Sequence, residues 1–214
     1  MVFTPQSSIA DATTFRERVR AAAASHGRAP DDIRTLPGLS YVLGSTEAEA
    51  RSAWDQLEAV SSEEFRLLNL THIAGVSESA AAEVDPDGPF PYHLFETAPG
   101  KTFAAAVIKA ARDGNLTFRQ AAHKFSTLPG GLHFTGTPEG VADLITQWWR
   151  AGAADGFTLQ PLRLPLDLQL FVDHVVPLLQ QRGVTRSGYI EGTLRDQLDL
   201  PRPPNSYTQR AISH

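Results

Sequence analysis

The sequence contains no cysteine, and this absence excludes several chemistries at once. Disulfides, thiolate nucleophiles and zinc sites with cysteine ligands all require a thiol. Positive charge is also scarce, because 19 Lys and Arg stand against 24 Asp and Glu, which gives a net charge of −5 without any basic block. Since nucleic-acid binding needs clustered Lys and Arg to neutralise phosphates, nucleic acid is not an expected partner.

Long apolar runs are missing as well. No stretch approaches the roughly 18 apolar residues that a membrane-spanning helix takes. Residues 1–15 lack the basic flank and the apolar core of a signal peptide. We therefore expect a cytoplasmic location without membrane contact. The histidines share no metal-ligand spacing, so no metal site is predicted.

A repeated strand–helix unit is what the sequence does contain. The stretch YVLGSTEAEARSAWDQL (41–57) matches HFTGTPEGVADLITQWW (133–149) position by position. In both copies a short β-rich run is followed by a Gly and by a Ser or Thr suited to cap a helix, and Thr46 and Glu49 have capping-box spacing. A second β-rich run, GFTLQP (156–161), follows the second copy, and this order favours right-handed parallel crossovers.

Four strands are predicted in all, near residues 2–4, 36–44, 132–136 and 156–161. Asp11 is expected to cap the first helix, and Pro177 is expected to kink or break a helix over residues 167–182. Residues 60–131 form a helical and loop insertion, and residues 193–214 form a tail with a short helix and an extended Pro-rich end. The predicted fold class is α/β, with about four βα units, where a closed barrel of this type takes eight.

Five collinear blocks carry a resemblance to a known family. They are VFTPQ (2–6), LPGLSYVLGSTEAEARSAWDQLE (36–58), FTGTPEGVADLITQWWRAGAADGFTLQP (134–161), FVDHVVPLLQQRG (171–183) and LRDQLDLPRPPNSY (194–207). Together they resemble the bacterial-luciferase-like flavin-dependent monooxygenases, in the branch of the nitrilotriacetate, alkane and dibenzothiophene-sulfone monooxygenases. The resemblance implies a partial (β/α)8 TIM-type barrel, with residues 1–214 as a single half-barrel domain that corresponds to the C-terminal half of the family fold.

The resemblance also implies a function. Such enzymes oxidise a small organic substrate with O2 and reduced FMN, which a separate flavin reductase supplies. In the family, a serine-containing stretch just before the VFT strand holds the FMN phosphate, and the present sequence begins on that strand. Two alternatives therefore stay open. The chain is a non-catalytic fragment or companion subunit that needs a complementing N-terminal half, or an upstream segment encodes the rest. An open four-stranded sheet also leads us to expect a homo-oligomer.

Four residues are candidates for the site. By resemblance, Phe3 lies near the flavin ring, and Thr4 and Gln6 follow at the carboxyl end of the same strand, where barrel sites are built. His72 is similar in place to a family histidine that would act as a general acid–base, although it is offset relative to Gly75. The structural alternatives are a core Phe and an ordinary helix-end His. A phosphate site at Gly136–Thr137 is not favoured, because Pro138 lacks an N–H and Glu139 is negatively charged there.

Overall fold

A four-stranded parallel sheet organises the chain. The computed structural model describes residues 1–126 and 131–197, with the side chains of Thr102 and Ser126 left out. The strands are β1 (Val2–Thr4), β2 (Thr35–Leu43), β3 (Leu132–Gly136) and β4 (Thr158–Pro161). The helices are α1 (Ile9–Ser25), α2 (Glu47–Val60), α3 (Glu63–Ala74), α4 (Glu78–Ala82), α5 (Tyr92–Glu96), α6 (Lys101–Gly114), α7 (Phe118–Ser126), α8 (Pro138–Arg150), α9 (Leu166–Leu170), α10 (Val176–Gln181) and α11 (Leu194–Gln197). All four predicted strands are therefore confirmed to within two residues at either end.

Strand β2 lies at the centre of the sheet. Its residues 35–37 pair with β1, residues 39–43 pair with β3, and residues 38–41 pair with β4, always in parallel. The N–H of Val2 bonds to the carbonyl of Arg34 and the N–H of Gly44 bonds to the carbonyl of Gly136, whereas the carbonyl of Tyr41 accepts from Leu162. The backbone N–H and C=O groups of successive strand residues point to opposite edges of the strand. Arg34 and Gly44 therefore share one edge of β2, along which β1 and β3 follow one another, and Tyr41 faces β4 on the other edge. The sheet does not close, which confirms the predicted partial barrel of α/β class.

The two faces of the sheet differ in polarity. Leu39, Tyr41 and Leu43 share one face and pack in a core cluster with residues of α8 and α10. The register places Ser40 level with His133 and Gln160 on the opposite face. The apolar face is therefore covered by helices, while the other carries the polar side chains.

Two of the three predicted helix N-caps are found in the structure. The hydroxyl of Thr46 accepts the N–H of Glu49, and that of Thr137 accepts the N–H of Gly140, so both predicted caps are confirmed. The cap of α1 differs from the prediction, because the hydroxyl of Ser8 accepts the N–H of Asp11 instead of Asp11 being the cap. Ser8 lies one residue before the first helical residue, where a short hydroxyl reaches the free N–H groups.

Pro177 has the expected disruptive effect on its helix. Residues 171–175 form a π turn between α9 and α10, and this turn ends two residues before Pro177. A proline supplies no N–H to the ladder, so the turn that precedes it adopts a different hydrogen-bond spacing.

The insertion has a hydrophobic core of its own. Helices α3–α7 enclose a cluster that includes Leu70, Phe90, Phe95, Val107 and Phe118, and among the described residues this cluster contains no member of the sheet. Such separate burial is typical of a small helical subdomain.

A buried cation of the insertion contacts α2. The guanidinium of Arg66, only 3% exposed, donates to the carbonyl of Glu58 at 2.6 Å and to its carboxylate at 3.3 Å. Of the predicted tail, the short helix is α11, and residues 198–214 lie outside the described residues. None of the helices in the described ranges combines the length and hydropathy needed to cross a bilayer.

Candidate functional site

A cavity of about 730 Å³ lies between the loop after β1 and the insertion. One wall includes Gln6 of that loop, and the other includes Lys109, Lys124 and Phe125 of the insertion, with Gly131 at its end directly before β3. Because β1 and β3 follow one another along β2, the cavity opens where β1 ends and β3 begins. Small-molecule and cofactor sites span about 300–1,000 Å³, so this cavity has the size of a ligand site.

The loop after β1 is held in a defined turn. Thr4 is buried, and its hydroxyl accepts the N–H of Gln6 at 3.3 Å. Two residues later the Ser8 cap starts α1. The side chain of Gln6 is therefore positioned in the cavity by a fixed strand end on one side and by a capped helix on the other.

Charged side chains of both signs line the cavity. The ammonium of Lys109 lies 2.5 Å from the carboxylate of Asp113. The pKa of Lys109 is raised mainly by this hydrogen bond, and to a smaller extent by the charge of Asp11 on α1. Lys124 lies at the same wall with Phe125 beside it. Ammonium groups next to an aromatic ring can bind a ligand that combines an anionic group with a planar or apolar body.

The four predicted site residues do not come together. Gln6 lines the cavity, and Thr4 supports it from the strand. Phe3 points away from the core with 70% of its surface exposed. His72 is exposed in the last turn of α3 and does not line this cavity. Their functional roles stay predictions.

Lys109 and Lys124 line the cavity, and the sequence did not reveal them as candidates. They belong to two different helices of the insertion, and their approach to Gln6 depends on how that subdomain docks. A hint was present in the high amphipathicity of residues 101–125, but amphipathicity alone predicts packing rather than binding.

A buried ion pair fixes the carboxyl ends of β2 and β4. The carboxylate of Asp167, which has no exposed surface, lies 2.6 Å from the guanidinium of Arg163 and accepts the N–H of Leu43 at 3.1 Å. Arg163 in turn donates to the carbonyl of Leu43 at 2.5 Å. The pKa of the neighbouring Tyr41 is raised to about 12, first by burial and then by the charge of Asp167. This arrangement sets the distance between two strand ends, where sites of parallel α/β folds are built.

His133 is a half-buried imidazole on the polar face of the sheet. Its ring lies 4.5 Å from the ring of Trp54, and its Nε2 is 2.8 Å from the hydroxyl of Thr135. Its Nδ1 is buried and has no hydrogen-bond partner among the residues that the structure describes. Burial lowers the pKa of His133, and the charge of Glu58 opposes this shift only in part. The neutral imidazole is therefore the form that the folded protein favours.

The stability of the protein should fall in acid because of His133. The pKa of this group is lower in the folded than in the unfolded chain, where it is about 6.5. Its contribution is therefore fully present above that value and is lost as the pH falls below it. Urea unfolding over a pH series should show this loss, and His133→Gln should reduce it. The matched variant is His123→Gln, at an exposed position in α7, and it should keep the wild-type pH dependence. Equal pH dependence in wild type and His133→Gln would refute the assignment.

The fold and the cavity together define an α/β protein with an open parallel sheet and a ligand-sized site beside one strand end. Comparison with known proteins makes this specific. The family model for luciferase-like monooxygenases matches residues 1–155, and the chain belongs to that family. It is 37% identical over 206 residues to nitrilotriacetate monooxygenase component A of Aminobacter aminovorans. It is also 33% identical over 211 residues to N-acetyl-S-(2-succino)cysteine monooxygenase of Bacillus subtilis.

Solved structures show the same relationship. A riboflavin lyase, solved with modified FMN and riboflavin, superposes with a TM-score of 0.75 at 28% identity, over 92% of this chain and 42% of that one. EDTA monooxygenase from Chelativorans sp. BNC1 gives 0.63 at 33% identity, over 94% of this chain and 46% of that one.

The chain spans less than half the length of these relatives. The matches cover 96% and 98% of the chain but only 45% and 47% of the two curated proteins. The prediction that the chain is a C-terminal half is wrong, since the family match covers the N-terminal part, residues 1–155, and leaves residues 156–214 outside it. The error has a physical origin. Strand–helix units within one barrel share the same caps and the same apolar spacing, so short blocks identify the family more readily than a place within it.

Proposed function

We propose that the chain supplies part of the flavin site of an FMN-dependent, luciferase-like monooxygenase. The enzyme would oxidise a small organic substrate with O2, and a separate flavin reductase would supply the reduced FMN. The observation that carries this proposal is the family match over residues 1–155, which includes the loop after β1 and both walls of the cavity up to Gly131. Two comparisons support it: one relative is named as component A of its enzyme, and one neighbour was solved with a modified FMN.

The cavity residues fit a flavin in their chemistry. Lys124 would bind an anionic group of the ligand, since an ammonium is a compact anion-binding group, whereas Lys109 is already paired with Asp113. Gln6 can both donate to and accept from a polar ring edge, and Phe125 supplies apolar contact area. When bound, reduced FMN would supply the electrons for activating O2. The role of the chain is to hold the cofactor, to orient the substrate and to exclude water from the site.

Phe3 and His72 also have roles in this proposal. The exposed ring of Phe3 can contact a planar group, and the exposed imidazole of His72 would be the acid–base group. Both lie outside the cavity wall, so each would act at a surface completed by residues from elsewhere. Several relatives have names that indicate substrates with more than one carboxylate, namely nitrilotriacetate, EDTA and a succinated cysteine. Such compounds are the first substrates to test.

A second candidate is a companion subunit that takes no part in oxidation. It is favoured by the open sheet and by the coverage of less than half of each relative. In this case the chain would bind, through its open sheet, a complementing chain that contains the remaining part of the family fold.

Titration with FMN separates the two candidates. We expect quenching of flavin fluorescence by the wild-type chain and a roughly 10- to 100-fold weaker affinity for Lys124→Ala, because one charge-assisted hydrogen bond is worth about 1.5–3 kcal/mol. The matched control is Lys101→Ala, an exposed lysine of α6 that does not line the cavity. Substrate oxidation coupled to a flavin reductase follows. Absence of FMN binding by the wild-type chain would favour the companion subunit.

A further inference from the structure

A cleft between α3 and α4 lies within the insertion, apart from the cavity beside Gln6. Its volume is about 290 Å³, close to the lower end of the range of about 300–1,000 Å³ for small-molecule sites. The residues that line the α3–α4 cleft include none that line the larger cavity. Thr71 and Phe118 belong to its lining and are almost fully buried, so the cleft reaches into the body of the insertion.

The two helices contribute the same pattern to the α3–α4 cleft. In each helix a glutamate lies three and four residues before two apolar residues, and this spacing places all three on one face. The two groups are Glu64, Leu67 and Leu68 in α3, and Glu78, Ala81 and Ala82 in α4. Each wall of the cleft therefore combines apolar side chains with one carboxylate.

The polar side chains of this lining accept hydrogen bonds and offer none. The hydroxyl of Thr71 donates to the carbonyls of Leu67 and Leu68, at 3.1 Å and 2.9 Å, so its oxygen can only accept from a ligand. Glu64 and Glu78 have neither an ion pair nor a side-chain hydrogen bond within the described part of the chain. A ligand in the cleft therefore meets two unpaired carboxylates and a hydroxyl acceptor.

Negative charge is concentrated around the cleft. Residues 52–100, which lie between two basic residues, include nine Asp and Glu but a single Lys or Arg, namely Arg66. Arg66 is already bonded to α2. The guanidinium of Arg119 on α7 is likewise paired with Glu63 and Asp87. Since both arginines are engaged, the local field at the cleft attracts cations and repels anions.

We propose that the α3–α4 cleft binds a small organic cation, made of a primary ammonium group on a short apolar body. An ammonium has three donors and no acceptor, which matches a lining of acceptors. The apolar body would cover Leu68, whose surface is 42% exposed, and would thereby remove apolar area from water. This site is separate from the proposed flavin site and does not depend on FMN.

Calorimetric titration with 2-phenylethylammonium chloride at pH 7, without flavin, tests this proposal independently of the proposed function. For a ligand of about nine non-hydrogen atoms we expect a dissociation constant on the order of 1 mM. 2-Phenylethanol has the same apolar body without the charge and should bind about 10-fold more weakly. Glu64→Gln and Glu78→Gln should each weaken binding of the amine about 3-fold, and the double variant about 10-fold, because exposed ion pairs contribute modestly one by one.

Two further variants locate the binding. Glu83→Gln removes an exposed acid of the same region that does not line the cleft, and it should keep the wild-type affinity. Ala82→Phe places a ring in the cleft from an exposed position and should abolish binding. Circular dichroism checks that all variants are folded.

Three results would overturn the proposal. The amine could show no saturable binding up to about 20 mM, which is well above the expected dissociation constant. The alcohol could bind as tightly as the amine, which would show that the cleft takes a neutral apolar ligand. Glu83→Gln could weaken binding as much as Glu64→Gln and Glu78→Gln, which would show a general effect of surface charge.

Discussion

Replacing Asp167 by alanine should lower the free energy of unfolding by about 3–5 kcal/mol. The substitution leaves the guanidinium of Arg163 without its anion and the buried N–H of Leu43 without its acceptor. Both lost interactions lie at the carboxyl ends of β2 and β4, which Asp167 connects. Since domains of this size are stable by only about 5–15 kcal/mol, the variant should unfold at a markedly lower urea concentration.

The matched control for Asp167 is another aspartate paired with an arginine. Asp143 lies 2.7 Å from Arg182, but 72% of its side chain is exposed. Asp143→Ala should cost less than about 1 kcal/mol, because solvent screens such pairs. Similar losses of unfolding free energy for the two variants would show that burial does not increase the contribution of the Arg163–Asp167 pair to stability. A further comparison, Asp167→Asn, keeps one acceptor for Leu43 and should lie between wild type and alanine.

The parts of the fold that were predictable from sequence are those that local chemistry decides. Thr46 and Thr137 cap helices because a hydroxyl at that place satisfies a free N–H, whatever the rest of the chain does. The repeated Gly–Ser/Thr–x–Glu pattern likewise marked β2–α2 and β3–α8. The order of strands was not predictable, because nothing local decides that β1 and β3 share one edge of β2 or that β4 takes the other.

The site was less predictable than the fold for the same reason. The turn at Thr4 and Gln6 follows from a strand end, and barrel architecture indicates strand ends as sites. Lys109 and Lys124 reach the cavity only through the docking of α6 and α7. Asp167 is separated from Leu43 by 124 positions, and its spacing of four residues from Arg163 resembles an ordinary surface pair. Long-range packing buries it, and that packing has no short-range signature.

A substitution in the core of the insertion should destabilise the insertion without destabilising the sheet. Phe95 is 1% exposed, and its ring lies 4.7 Å from that of Phe90 and 6.3 Å from that of Phe118. Phe95→Ala should cost the insertion about 3–5 kcal/mol through lost burial and the cavity left behind. Because the core of the insertion contains no sheet residue among those described, little of that loss should reach the sheet.

The distribution of tryptophan allows the two parts to be observed independently. All three tryptophans, Trp54, Trp148 and Trp149, lie on α2 and α8, outside the insertion. In the Phe95→Ala variant, helical circular dichroism should show a first urea transition that tryptophan fluorescence lacks, since two probes that disagree indicate more than one unfolding unit. Phe65→Ala removes an exposed ring from α3 and should change stability by no more than about 0.5 kcal/mol. If both probes shifted together in Phe95→Ala, the insertion and the sheet would form one cooperative unit, and the cavity between them would be a fixed feature rather than a junction between two bodies.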